Sequence, residues 1–319
     1  MRRNILLQLL APLLSLCVLF LLLIVDPVSH WEERKEPLSI SVLPRERDNR
    51  IWSVSRQGME QAAADLGVEL RFLPLGGGDR LTQQQELLRK EVDGGADAVI
   101  LSPVDAEALG ETLGELSRTP CIVTMETDLS KEGASACIQA DNAALGEMLG
   151  KAALNGVPEG GSVLLVNSVP GRNGVTERTE AAEKVLKESR RRVRVLEEQE
   201  ERELIQQLSS VLAASPPDAV IALDAAALER TADLLAEDLR RPLLYGCGST
   251  GSIAAHLEQG EITAIAARNE FAAGYLAVEA AVSLLQGRRP KDAALDFALV
   301  RKETMYEGDR QKLLFPVTW

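Results

Sequence analysis

The feature that most constrains this chain is a regular alternation that begins at Leu38. Short runs of apolar and β-branched residues recur at 39–43, 69–74, 98–102, 121–125, 136–139, 162–167, 193–196, 219–223, 242–245 and 263–266. Between most of them lie stretches with apolar residues at helical spacing, at 53–66, 83–92, 106–116, 144–154, 177–187, 203–213, 225–235, 252–258 and 272–286. In the first of these, Val54, Met59, Ala62, Ala63 and Leu66 fall near one face. Strands that alternate with helices pair in parallel, and the helices cover both faces of the sheet. The pattern therefore predicts an α/β chain. About ten strands exceed one comfortable doubly wound sheet, so two lobes are expected. The two halves echo each other as β-α-β-α series, and the Pro/Gly-bounded segment 155–161 reads as a surface turn.

The N-terminus has a different character. Arg2 and Arg3 precede an apolar run from Ile5 to Val25, broken only by Gln8, Pro12 and Ser15. A helix of that length spans roughly 31 Å, close to a hydrocarbon core. The run ends at Asp26-Pro27 without a small-x-small cleavage site, and Leu16 before Cys17 does not suit a lipidation signal. Residues 1–4 are thus expected inside the cell, 5–25 across the membrane, 26–37 as a stalk with Trp31 at the interface, and the rest outside. A cleaved signal peptide is the alternative.

Composition narrows the function. The net charge of −13 repels phosphate backbones, and aromatics at 3% leave little for base stacking, so nucleic-acid binding is disfavoured. The basic run Arg190-Arg191-Arg192 reads as a solvated helix end. Cys17, Cys121, Cys137 and Cys247 fit no zinc or disulfide framework and read as small buried hydrophobes, with a Cys121–Cys137 bridge possible if their strands are neighbours. The two histidines are His30 in the stalk and His256 on a helix surface; no nucleophile elbow, phosphate loop or dinucleotide fingerprint is present. No cofactor or metal is implied, and an enzyme is disfavoured.

Without catalytic apparatus, polar residues at strand ends read as ligand holders, because open α/β sheets bind ligands beyond the carboxyl ends of their strands. Those ends carry the stretch 44–52, Ser102 to Asp105, Glu126-Thr127-Asp128, Asp141-Asn142, Asn167-Ser168, Asp224, Gly248-Ser249-Thr250 and Arg268-Asn269-Glu270. Carboxylates, amides and guanidinium groups beside Trp52 suit a polyhydroxylated ligand: the polar groups bond hydroxyls, and an indole covers the apolar face of a sugar ring.

Several pieces together resemble the ribose/galactose-type periplasmic sugar-binding proteins over nearly all of 38–303. They are Ala98-Val99-Ile100-Leu101-Ser102-Pro103-Val104-Asp105, the frame Asn49-Arg50-Ile51-Trp52 with Gly58, Asp141-Asn142 with Gly146, Gly246 through Thr250, Arg268, and Gly274-Tyr275-Leu276-Ala277. The resemblance implies two Rossmann-like, doubly wound lobes joined by three crossings, near 139–141, 266–268 and 287–293. It places 38–138 with 268–290 in one lobe and 139–267 with 291–303 in the other, leaving 304–319 as a tail. It further implies a ligand cleft formed by Asn49, Trp52, Ser102, Glu126, Thr127, Arg178, Asp224, Gly248 and Arg268. Relative to the family pattern, Ile51 replaces an aromatic, Thr127 an arginine, Gly248 an aspartate and Arg268 a glutamine, so the ligand need not be ribose, glucose or galactose; an anionic sugar, a polyol or another small metabolite fits as well.

Each assignment has a plainer counterpart. Trp52 also reads as a core residue at a helix start, Arg178 as a partner of Glu177 or Glu180, and Glu126 as a turn cap. Asp224 equally reads as the cap of the helix from Ala225, and Arg268 as a hinge salt bridge. Arg45 and Arg47 read as solvent residues at the cleft mouth. The resemblance implies hinge closure and delivery to an ABC permease. The rivals are a ligand-sensing accessory of a membrane histidine kinase and an extracytoplasmic enzyme.

Overall fold

In the computed structural model, residues 37–45, 49–77, 79–118, 120–169, 171–197, 203–236, 241–290 and 295–316 are described. The expected anchor at 5–25 and stalk lie outside them. Among the described residues no helix is long and apolar enough to cross a membrane.

The first sheet is built from β1 (Ser39–Leu43), β2 (Glu69–Phe72), β3 (Ala98–Leu101), β4 (Cys121–Met125) and β5 (Ala136–Ile138). Its order is β2-β1-β3-β4-β5 and every pairing is parallel. The helices between them are α1 (Asn49–Leu66), α2 (Arg80–Asp93) and α3 (Ala106–Gly114). The second half continues with α4 (Asn142–Leu154), β6 (Ser162–Asn167), α5 (Asn173–Glu188), β7 (Arg192–Glu197), α6 (Glu203–Ala214), β8 (Ala219–Ala222), α7 (Ala225–Leu235), β9 (Leu243–Cys247), α8 (Gly251–Gln259), β10 (Ala264–Arg268), α9 (Glu270–Leu285), β11 (Phe297–Val300) and α10 (Gly308–Leu314). Its sheet runs β11-β10-β9-β8-β6-β7. Read from β7, this repeats the 2-1-3-4-5 order of the first sheet and adds β11 antiparallel to β10.

Central strands read as unbroken apolar runs because both faces are covered. All residues of β3, β8 and β10 are buried, whereas the edge strand β2 alternates between exposed and half-buried residues. The helices are stopped and started by chemistry at the strand ends. Asp105, Asp141, Asp224, Thr250 and Asn269 each accept a backbone N–H from the first turn of the helix that follows, a contact that stabilises a helix by about 1 kcal/mol.

The chain passes between the sheets three times. It leaves β5 for α4, which packs against α5 and on β8, β9 and β10; it leaves β10 for α9, which packs against α1 and on β3, β4 and β5; and it returns from α9 to β11. Part of the last passage, 291–294, lies outside the described residues. Glycines let the paired helices approach. A methyl group on Gly58 or Gly274 would collide with backbone of the facing helix at Phe271 or Ser55, and one on Gly146 would collide with the Arg178 carbonyl.

Two findings differ from the pattern. The stretch after 303 is not a plain tail: α10 buries Leu313 and Leu314 against the second sheet, beside Met305 and Val300. The element is short and its apolar residues adjoin, so it carries no helical period. Cys121 and Cys137 are on neighbouring strands, yet both are free thiols. Cys137 stands opposite Thr124, three residues from Cys121, an offset of about 10 Å along a strand. Burial pushes the Cys137 thiol up to about 11.

Candidate functional site

Between the two sheets, at the carboxyl ends of their strands, lies a cavity of about 400 Å³. Its position follows from topology. In a 2-1-3-4-5 sheet the chain turns opposite ways after strands 1 and 3, which opens a crevice there. Here both crevices face one space: residues following β1, β3 and β4 line it from one side, and residues following β6, β8 and β9 from the other.

The centre of the site is a buried ion network. Glu126 follows β4 in a left-handed backbone conformation (φ 62°). Its Oε2 pairs with Arg172 Nη1 at 2.6 Å and its Oε1 with Arg268 Nη2. Arg268 also donates from Nε to Glu270 Oε1 at 3.0 Å and from Nη2 at 2.6 Å, and Glu270 accepts from Ser55 Oγ at 3.2 Å. Arg172 Nη2 lies 3.5 Å from Ser102 Oγ. Burial opposes ionisation of Glu126, but the guanidinium groups of Arg268, Arg172 and Arg178 outweigh it and hold its carboxyl well below the usual range. Burial likewise opposes the charge on Arg268, and Glu126 and Glu270 more than restore it.

Glu126 belongs to the first-sheet side, and Arg172 and Arg268 to the second, so the network ties the lobes together. A backbone bond from Ala106 N to Gly171 O at 3.1 Å does the same at the rim. The cleft is therefore closed in this conformation.

Behind the network lies Arg178, 2% exposed. Its Nε donates to Asn142 Oδ1 at 2.8 Å, and its Nη1 donates to the Leu223 carbonyl at 2.7 Å and faces Cys247 Sγ at 3.5 Å. Its Nη2 is buried without an acceptor. It does not pair with Glu177 or Glu180. Asp224 is both a lining residue and a cap: Ser168 N and Oγ and Ala227 N all donate to it. Trp52 lines the cavity at 7% exposure, with Phe72 5.5 Å away between ring centroids and the Arg56 guanidinium 5.7 Å from its ring. Its Nε1 is buried without an acceptor.

Of the residues marked in the sequence, Trp52, Ser102, Glu126, Arg178, Asp224, Gly248 and Arg268 all line this one cavity. Gly248 has φ 151° and sits against Ile253 and Ala225, where a side chain would not fit. Asn49 begins α1. Thr127 does not line the cavity; it is fully buried and its Oγ1 has no partner. The turn at Glu126 carries it past the cleft into the packed interior. Asp105, Asp128, Asp141, Asn142, Asn167 and Asn269 are also absent from the lining, since five of them cap helices or turns, and Asn142 holds Arg178. Arg45 is a correction in the other direction: it is 4% exposed and lines the cavity rather than standing in solvent at its mouth. His256 is not a plain surface residue either, because it sits between Glu261 and Asp233 with 14% of its side chain exposed.

The sequence reading missed Arg172 and Glu270. Arg172 lies five residues beyond β6, in the turn Gly171-Arg172-Asn173-Gly174 that opens α5. A glycine-flanked arginine at a strand-to-helix turn on the carboxyl edge is the signal that could have found it. Glu270 was noted only as part of a strand end.

Comparison with known proteins accords with this geometry. Residues 40–289 match the family model described as the periplasmic binding protein domain. A search of curated protein sequences gives no match. Among solved structures, the fold is similar to a glucose-galactose binding protein from Geobacillus stearothermophilus (TM-score 0.76, 19% identity, 84% of this chain and 99% of that one). It is similar also to a carbohydrate transporter solute binding protein from Agrobacterium radiobacter in complex with D-arabinose (TM-score 0.81, 18% identity, 88% and 99%). A chain of the XylFII–LytSN complex aligns as well (TM-score 0.75, 16% identity, 84% and 98%). At these identities the structural likeness establishes the fold, while the family match spans most of the sequence: the chain belongs to the periplasmic binding protein domain family.

Proposed function

We propose that this protein is an extracytoplasmic substrate-binding protein that captures a small polyhydroxylated ligand, a sugar or sugar-like molecule, and delivers it to an ABC importer. The observation that carries this reading is the cavity of about 400 Å³ between two lobes, lined by Trp52 and by charged hydrogen-bonding side chains from both. That volume and lining suit one small polar molecule. The family is one of binding proteins, and the chain is not an enzyme. The solved neighbours that bind glucose, galactose or D-arabinose support carbohydrate as the ligand class.

In this reading the ligand contacts come from Asn49, Trp52, Ser102, Glu126, Arg178, Asp224 and Arg268, and the bare backbone of Gly248 allows close approach. Thr127 would shape the turn behind Glu126 rather than touch ligand. The lobe built on the first sheet moves against the lobe built on the second, which carries Arg268 at the end of β10, and ligand bonds to both sides favour the closed state. The apolar run at 5–25, with basic residues before it, holds the domain at the outer face of the membrane. A second reading keeps the same cleft but makes the protein a ligand-sensing accessory of a membrane histidine kinase. It is favoured by the likeness to a chain solved in complex with a second protein, LytSN.

Calorimetric titration of the full chain with aldoses, polyols and sugar acids tests the common part. One-to-one binding of at least one of them is expected, weakened about ten-fold or more by Trp52→Ala. No heat from any of these compounds would refute the reading.

A further inference from the structure

We infer that the ligand of this cleft carries a negative charge and is a hydroxylated monocarboxylate, a sugar acid rather than a neutral sugar, whose carboxylate docks against Arg178. The inference rests on the proposed role of the cleft as a carbohydrate site and specifies its chemistry.

The charge balance of the lining is the first observation. Seven arginines and five carboxylates line the cavity, with no lysine or histidine. A chain with net charge −13 thus gathers an excess of cations around this space. The second observation is which groups still lack partners. The lining carboxylates are supplied from within the chain. Glu126 is taken by Arg172 and Arg268, Glu270 by Arg268 and Ser55, and Asp224 by Ser168 and the start of α7. Among the described residues no carboxylate oxygen is buried without a donor. The opposite holds for donors: Arg178 Nη2 and Trp52 Nε1 belong to lining residues and are buried with no acceptor.

Arg178 is the more telling of the two. Its partners, the Asn142 amide, the Leu223 carbonyl and the Cys247 sulfur, are all neutral. An arginine keeps its charge when buried; Glu126 acts on Arg178 at a distance but is bonded to Arg172 and Arg268, so three guanidinium groups share the carboxylates of Glu126 and Glu270, and an unbalanced buried charge is costly. The fork is nevertheless held rigidly at two of its nitrogens, with the third left over. A neutral sugar hydroxyl could accept one hydrogen bond there, but only an anion also balances the charge, and a carboxylate is the anion that a planar guanidinium fits best. A second carboxylate on the ligand would meet Glu126 and Glu270, so one negative charge is the best match.

The test compares ligands of one shape and different charge on the wild-type full chain. D-galacturonate, D-glucuronate and D-gluconate are titrated beside D-galactose, D-glucose and the primary amides of the same acids. At least one acid is expected to bind about ten-fold or more tighter than its parent sugar and its amide, the range of a charge-assisted bond in a desolvated site. Arg178→Met is expected to abolish that preference and Arg178→Lys to keep part of it. If Arg178→Met does not fold, the acid-to-amide ratio on the wild type decides alone. A neutral sugar or amide that binds as tightly as its acid overturns the inference while leaving the carbohydrate cleft standing. Absence of binding by every acid, amide and sugar overturns both.

Discussion

The two lobes repeat one strand order, yet they equip their sides of the cleft in different ways. In the second lobe the key polar groups are fixed by that lobe's own atoms: Arg178 by Asn142 and the Leu223 carbonyl, Asp224 by Ser168 and the first turn of α7. In the first lobe Glu126 finds its cations only across the cleft, in Arg172 and Arg268. One wall is therefore preorganised whether the cleft is open or shut, and the other is completed by closure. Rigid groups lower the ordering cost of binding, whereas a cross-lobe pair adds to the stability of the closed state.

The largest expected effect comes from removing the group that spans the two walls. Glu126→Ala leaves Arg172 and Arg268, 6% and 10% exposed, without their shared carboxylate. Breaking a buried pair from one side costs about 3–5 kcal/mol. Denaturant unfolding should show a loss near the lower end, because Glu126 keeps 18% exposure, and scattering should show a more open particle without ligand. An unchanged radius of gyration would mean that the network does not hold the lobes shut.

Next come the helix crossings, which separate the lobes most cleanly. Gly274→Ala pushes α9 off the Ser55 carbonyl in the first lobe, and Gly146→Ala pushes α4 off the Arg178 carbonyl in the second. Each should lower stability by about 1–3 kcal/mol. Only Gly146→Ala should also weaken ligand binding, since it displaces the residue that carries the preorganised arginine. Equal losses of affinity in both variants would erase the proposed difference between the walls.

Acidification gives a smaller, graded effect on the same network. The folded-state value of Glu126 is held well below the ordinary 4.5, despite burial, by Arg268, Arg172 and Arg178. A depressed carboxylate contributes stability that is fully present above that ordinary value and is lost as pH falls below it. Thermal midpoints should therefore decline from about pH 4.5 downward, less steeply in Glu126→Gln than in the wild type. Parallel pH profiles for the two proteins would show that Glu126 is not the linked group. The smallest change is Asp224→Asn, whose one oxygen still accepts from Ser168 Oγ and Ala227 N while its amide nitrogen leaves the Ser168 N–H without an acceptor; a loss of about 1 kcal/mol is expected by denaturant unfolding.

Much of the scaffold was legible because it rests on local chemistry. Apolar runs marked β1, β4 and β6 at their observed bounds, and α7 likewise. Strand β11 and helix α10 were missed because one is a four-residue antiparallel edge whose burial is partial, and the other has only two adjoining buried leucines. The site was legible more coarsely. Strand-end polar residues are needed both to cap the next helix and to face a ligand, and sequence does not separate the two uses. Asp105 and Asp141 proved to be caps, Asp224 serves as cap and lining, and Thr127 turned inward after a positive-φ residue that no local pattern announces. The partnership of Glu126 with Arg172 and Arg268 joins positions 46 and 142 residues apart and becomes visible only in three dimensions.

The most direct measurement is a crystal structure of the protein with the tightest ligand from the titrations. A single molecule should occupy the cavity between Trp52 and Arg178, with a ligand oxygen within hydrogen-bonding distance of Arg178 Nη2 and contacts to both lobes. A ligand bound elsewhere, or one that touches a single lobe and leaves Arg178 without an acceptor, would contradict the proposed cleft.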